Sequence, residues 1–311
     1  SPRLHVGLGN TPMIDSVKVL WNSGKSQTFK GITEIKNISF FEKDAKLIQT
    51  KELENKSYFA RAESLILSPG NNPVNDFKRQ TQLVNPLSFV GPILKSSDVN
   101  QDGLSDIFVG ASQGNSAHLF IQQKGGQFRS VGLSGSEGFE DSDALFVDVD
   151  ADGDLDLYVA SGINESKIES DQQNRFYLNE NGKFIKSINQ IPTNTLVTTT
   201  VAAYDYDNDG DTDLFVGNLA DAKDFGKPVK SNILVNDGKG KFSVDPNFEM
   251  VSKATSAIWE DINGDNTKDL IVSTEWDAPK MYINKNGNLE LMDLPENLNG
   301  LWQSISTFDI D

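Results

Sequence analysis

A nine-residue acidic pattern occurs four times in this chain, beginning at Asp98, Asp148, Asp205 and Asp261, and a fifth begins at Asp309. Oxygen-bearing side chains stand at positions 1, 3, 5 and 9 of each copy. The sets are Asp98, Asn100, Asp102 and Asp106; Asp148, Asp150, Asp152 and Asp156; Asp205, Asp207, Asp209 and Asp213; and Asp261, Asn263, Asp265 and Asp269. Asp309 and Asp311 open the fifth set. So many carboxylates so close together repel one another unless the turn wraps a cation. Position 6 is Gly103, Gly153, Gly210 or Asn266, the residue types that most easily take the left-handed backbone needed to curl a chain round an ion.

The cation that suits such a set is calcium, a hard ion that accepts six to eight oxygens at about 2.3–2.6 Å in forgiving geometry. About four Ca2+ sites are expected, with position 7 (Leu104, Asp154, Asp211 and Thr267) contributing its backbone carbonyl. An EF-hand would need a glutamate at position 12 and flanking helices. Position 12 here is Val109, Val159, Val216 or Val272, at the end of an apolar run such as Leu214-Phe215-Val216. The loops therefore join strands.

Loop starts lie 50, 57, 56 and 48 residues apart, a period typical of propellers and other arrays. Between them a fixed order of elements recurs. One apolar run enters the loop (Ala144 to Val147, Val201 to Tyr204, Ala257 to Trp259) and a second leaves it. A third follows at His118 to Ile121, Arg175 to Leu178, Asn232 to Val235 and Lys280 to Ile283. A hairpin turn comes next, Gly125-Gly126, Asn181-Gly182, Asp237-Gly238 or Asn286-Gly287, and a short fourth strand starts near Phe128, Phe184, Phe242 or Leu289. Four strands per repeat is the make-up of a propeller blade. The fold class expected is all-β, a β-propeller of four-stranded blades with calcium-binding loops, plus a small N-terminal β unit. Length variation concentrates between the second and third strands, at Ser161 to Gln173 and Asn218 to Lys230, where binding loops of repeat proteins gather.

Residues 1–43 differ from the rest. A strand is expected over Val17 to Trp21, a turn at Asn22 to Lys25, a return strand over Ser26 to Phe29 and another over Ile38 to Phe41. Residues 44–56 read as a charged connector and 57–311 as the propeller, with a loop-less blade somewhere in 57–97.

The loops D-V-N-Q-D-G-L-S-D, D-V-D-A-D-G-D-L-D, D-Y-D-N-D-G-D-T-D and D-I-N-G-D-N-T-K-D, followed by strands such as I-F-V-G, resemble FG-GAP/VCBS repeats, the calcium-loop blades of integrin-α-like propellers. H-V-G-L-G and V-K-V-L-W-N-S-G-K-S-Q resemble the later part of the ASPIC/UnbV domain, with Trp21-Asn22-Ser23-Gly24 where that family usually has W-P-S-G. The resemblance implies a ring of about seven blades, four to five of them here, and a chain cut at both ends.

The formal charge of −17 disfavours nucleic acid and anionic membranes as partners, and fourteen of the carboxylates belong to the four complete ion sets. With no cysteine, nothing is stapled by disulfides, and no run is long and apolar enough for a membrane span. Weak calcium loops suit the millimolar calcium outside cells, so an extracellular or bacterial cell-surface location is expected. Catalysis is not expected. The carboxylates come in near-identical sets, and His5 and His118 are the only histidines that could serve as a base. Among the tryptophans, Trp259 is expected in the core, Trp302 is expected to open the next blade, and Trp276 is the candidate for stacking on a sugar or a partner side chain. The function expected is protein or glycan binding at a surface, with an accessory place in an outer-membrane assembly as a variant. The rival is the non-catalytic part of a polysaccharide-processing lyase or hydrolase.

Overall fold

The computed structural model describes residues 13–32, 38–47, 75–79, 81, 92–112, 114–162 and 173–308. His5, Asp309 and Asp311, most of the stretch assigned to a loop-less blade, and most of the Ser161 to Gln173 insertion lie outside these. The chain divides into two compact units, Ser1–Ala62 and Glu63–Asp311. Among the described residues no helix is long and apolar enough to cross a membrane.

The first unit holds a three-stranded antiparallel sheet, β1 (Ile14–Leu20), β2 (Lys25–Ile32) and β3 (Lys46–Leu47), in that order. The turn between β1 and β2 closes with the Gly24 amide donating to the Trp21 carbonyl (2.9 Å), and Gly24 takes φ 79°, which a side chain would resist. The third strand is not the expected Ile38 to Phe41. That segment crosses β2 by side-chain contacts, with the Phe29 and Phe40 rings 5.0 Å apart and the Gln27 amide donating to the Phe41 carbonyl. A 3-10 turn at Glu42–Asp44 then lets Lys46 and Leu47 pair with Ser26 and Lys25.

Among the described residues the second unit contains four antiparallel sheets, each a consecutive up-and-down meander. Blade A is β4 (Leu94–Ser97), β5 (Asp106–Val109), β6 (His118–Gln122) and β7 (Phe128–Gly132). Blade B is β8 (Asp141–Val147), β9 (Asp156–Ser161), β10 (Arg175–Glu180) and β11 (Lys183–Ser187). In blade C, β12 (Val197–Tyr204), β13 (Asp213–Ala220), β14 (Val229–Asn236) and β15 (Phe242–Val244) are joined by an extra strand, β16 (Met250–Ser252), on β14. Blade D is β17 (Ala254–Glu260), β18 (Asp269–Thr274), β19 (Lys280–Asn284) and β20 (Leu289–Leu291). Every acidic loop joins the first and second strands of its sheet. Asn181-Gly182 and Asn286-Gly287 have positive φ at both residues, as the expected hairpin turns require.

Burial explains why second strands read as unbroken apolar runs. Side chains alternate between sheet faces. Leu157 and Val159 enter a core shared with Phe108 and Leu119 of blade A, whereas Tyr158 and Ala160 enter one shared with Val201, Leu214 and Val216 of blade C. A third core lies between blades C and D, where Phe215, Ile233 and Met250 meet Trp259, Leu270 and Val272. A sheet sandwiched on both faces needs apolar residues on both. First strands of successive blades lie side by side. Ser142 Oγ donates to the Thr198 carbonyl, Thr199 Oγ1 to the Ala254 carbonyl and Thr255 Oγ1 to the Trp302 carbonyl. Trp302 thus takes the place of a next first strand, although Leu301 is held to blade D by only an isolated bridge to Glu275. These are propeller-like blades.

Candidate metal loops and an exposed tryptophan

All four loops fold alike. The position-6 amide donates to the position-1 carboxylate, Gly103 to Asp98 (2.8 Å), Gly153 to Asp148 (3.0 Å), Gly210 to Asp205 (3.1 Å) and Asn266 to Asp261 (2.8 Å). The position-7 amide donates to the position-5 carboxylate in each, at 2.8–3.0 Å. Position 6 is left-handed throughout, Asn266 included at φ 68°. Position 4 is left-handed as well, even where it is Gln101 or Ala151, both at φ 57°. Two left-handed residues flank position 5, and in loops B and C the side chains of positions 1, 3 and 5 come together.

Loops B and C differ from A and D. Carboxylate oxygens of Asp148, Asp150 and Asp152, and likewise of Asp205, Asp207 and Asp209, lie within 4.8 Å of one another. In these two loops Asp148 Oδ1, Asp150 Oδ1 and Asp205 Oδ1 are buried without a hydrogen-bond partner. A buried carboxylate oxygen without a partner is costly, and a divalent cation is a group that would remove the cost. In loop D, Asp261 Oδ1 instead accepts from the amides of Asn263, Gly264 and Asp265, and in loop A both oxygens of Asp98 accept backbone amides. Asn100 and Asn263 each accept from the position-5 amide. Loops A and D therefore bring fewer charges and fewer free oxygens. Burial pushes the Asp150 and Asp207 carboxyls up, with the charges of Asp152 and Asp209 adding to it.

Position 9 has a role that spacing alone does not reveal. Asp106, Asp156, Asp213 and Asp269 are buried, and each uses one oxygen for the position-2 amide of its loop (Val99, Val149, Tyr206, Ile262; 3.1–3.4 Å). The other oxygen accepts the amide of Gln122, Asn179, Asn236 or Asn284 on the third strand, at 2.8–2.9 Å. The carboxylate pins three segments of its blade. Burial pushes the Asp156 carboxyl up to about 6 and that of Asp213 up to about 7, against the pull of those amides. At position 7, the Asp154 carboxylate faces away from its own loop's amides, accepting from Gln101 Nε2 and the Asn181 amide. That leaves its backbone carbonyl as the group available to an ion.

Loop spacing does not single out the asparagines at or beside the ends of third strands, although Leu178-Asn179, Val235-Asn236 and Ile283-Asn284 align in three repeats. Their side chains reach another blade: Asn179 Nδ2 donates to the Val99 carbonyl, Asn236 Nδ2 to Val149 and Asn284 Nδ2 to Tyr206 (2.8–2.9 Å). Of the remaining candidates, His118 opens β6 with Nδ1 against Ser130 Oγ at 2.9 Å, and Trp259 is buried in the core between blades C and D. Trp276 is 60 % exposed and holds φ 71°, its amide donating to the Gly300 carbonyl.

A family model described as "FG-GAP-like repeat" matches residues 98–159 and 148–216, spanning loops A to C with the strands that follow them. Residues 98–216 are FG-GAP-like repeats. A second, described as "ASPIC and UnbV", matches residues 1–47, so an ASPIC/UnbV segment precedes the repeats. Loop D and its blade, outside the matched FG-GAP residues, share the same loop hydrogen bonds. No curated protein matches the chain. Among solved structures, it is similar to an Agrocybe aegerita lectin described as recognising non-reducing terminal N-acetylglucosamine, at 15 % identity and TM-score 0.44. That match covers 66 % of this chain, which spans about half (52 %) of the lectin chain.

Proposed function

We propose that this chain is a non-enzymatic, calcium-stabilised propeller module of a cell-surface protein, and that it binds glycan through the loop at Trp276. The ion half of this reading is supported by the partnerless oxygens of Asp148, Asp150 and Asp205, and by an oxygen-only donor set that suits calcium. Loops B and C are the strong sites and A and D the weaker pair.

The binding half rests on Trp276. A left-handed backbone costs a bulky residue about 1–3 kcal/mol, and an indole left mostly in water recovers little of that by burial. Backbone strain of this kind clusters at ligand-binding sites. An indole face stacks on the apolar face of a sugar ring, and Glu275 and Gln303, whose side chains meet at 3.5 Å, stand beside it as hydrogen-bonding groups. Trp276→Gly separates function from fold: its midpoint should rise, by about 1 kcal/mol of added stability, while retention on an immobilised glycan panel falls at least tenfold. Equal retention by the variant would remove Trp276 from the site. New reducing ends or unsaturated products after incubation with the panel would overturn the non-enzymatic reading.

A further inference from the structure

A single hydrogen-bond chain runs through all four acidic loops. Starting in blade A, Asp106 accepts the Val99 amide, and the Val99 carbonyl accepts Asn179 Nδ2 of blade B. The Asn179 amide donates to Asp156, which also accepts the Val149 amide, and the Val149 carbonyl accepts Asn236 Nδ2 of blade C. The same three links carry it from Asn236 through Asp213 and Tyr206 to Asn284, and so to Asp269 and Ile262 of loop D. Each asparagine Oδ1 is fixed in turn by the amide of Gly182, Gly238 or Gly287 in the following hairpin turn.

A packing contact runs beside the chain. The hairpin turns of blades B, C and D approach position 3 of the preceding loop, and that of blade C position 2 as well. A Cβ added at Gly287 would lie 2.9 Å from the Asp207 Cβ, and one at Gly240 would lie 3.0 Å from Val149 and 3.8 Å from the Asp150 Cβ. Nothing larger than glycine fits at Gly287 without moving loop C.

We propose that Asn179, Asn236 and Asn284 are positioning residues that couple cation binding between successive loops, so that an ion in one loop raises the affinity of the next. The proposal rests on the calcium reading above. An ion would draw the side-chain oxygens of positions 1, 3, 5 and 9 toward one centre. Position 9 cannot move without the position-2 amide, and the position-2 carbonyl is held by the next blade's asparagine. Through this link loops B and C, which carry the partnerless oxygens, favour the bound geometry of loops A and D. Coupling between sites in proteins is commonly about 5- to 150-fold in affinity.

The test is site-resolved. The amides of Gly153, Gly210 and Asn266 each donate to the position-1 carboxylate of their own loop, so their NMR resonances in the 15N-labelled full chain report calcium at loops B, C and D separately. Asp148→Asn with Asp150→Asn disarms loop B. In the otherwise unaltered chain this should weaken calcium binding read at Gly210 at least about fivefold. With Asn236→Ala added, which keeps the backbone amide but removes the cross-blade donor together with the side chain's bonds to the Thr212 carbonyl and the Gly238 amide, disarming loop B should change the Gly210 affinity less than about twofold. If Asn236→Ala does not fold, Asn284→Ala read at Asn266, with loop C disarmed by Asp205→Asn and Asp207→Asn, makes the same test one blade further on. A merely structural asparagine would lower the melting temperature but leave the effect of disarming intact. That result overturns the proposal, as does an unchanged Gly210 affinity when loop B alone is disarmed. Calcium leaving all three amides unmoved would overturn both the coupling and the calcium reading, whereas calcium binding without coupling overturns the coupling alone.

Discussion

Stripping divalent cations with EDTA is expected to lower the thermal midpoint of this chain by more than about 10 °C, and restoring calcium to recover it. Each ion bound to the folded state alone adds RT ln(1 + [L]/Kd), about 2.7 kcal/mol at a hundredfold excess over Kd. Several loops filled together would contribute more than the few kcal/mol that most single substitutions change. The effect should be large because Asp148 Oδ1, Asp150 Oδ1 and Asp205 Oδ1 are buried with no hydrogen-bond donor from the protein. Differential scanning calorimetry in EDTA, in calcium and in magnesium is the measurement. Magnesium, which keeps its waters and demands near-octahedral geometry, should restore little of the loss. A midpoint equal in EDTA and calcium would mean that the loops are held by their internal hydrogen bonds alone.

The second large effect is expected at Asp213. Asp213→Ala strands the buried amides of Tyr206 and Asn236, at about 1–3 kcal/mol each. It should therefore destabilise by about 3 kcal/mol even in EDTA, and by more in calcium. Asp213→Asn should behave differently in the two conditions. Burial pushes this carboxyl up to about 7, and both of its oxygens accept backbone amides, so an asparagine keeps one acceptor and turns an N–H donor toward the other amide. In EDTA at pH 7 Asp213→Asn should lower the midpoint, though by less than Asp213→Ala, and in calcium it should fall further, since an amide brings no charge to the ion. Paired urea melts of both variants in the two buffers decide this. Equal losses for Asp213→Asn in EDTA and calcium would show position 9 to be a structural clamp with no share in holding the ion.

Much of this architecture is legible locally. The second strands announce themselves as unbroken apolar runs because both faces of each blade are covered. Asn181-Gly182 and Asn286-Gly287 announce hairpins because both residues tolerate positive φ. Asn266 follows the rule for position 6 because asparagine tolerates the left-handed region that glycine fills elsewhere. What stayed hidden depends on partners far along the chain. Asn236 looks like an ordinary strand end until Val149, 87 residues earlier, is found against its side chain. The double use of Asp213 as clamp and candidate ligand could not be read from a spacing that both roles satisfy. In the N-terminal unit, Ile38 to Phe41 has the apolar character of a strand, but its rings pack across β2 and the ladder passes to Lys46 and Leu47. The three-residue strand β16 is too short to carry a period, and only its pairing with Val229–Ser231 reveals it.

The central claim is that these loops are calcium sites, and calorimetric titration of the EDTA-stripped, dialysed chain with CaCl2 tests it most directly. The account predicts saturable binding with about four ions per chain, lost at loop C when Asp205→Asn and Asp207→Asn are introduced together. No saturable heat at millimolar calcium, or a stoichiometry unchanged by that pair of substitutions, would contradict it.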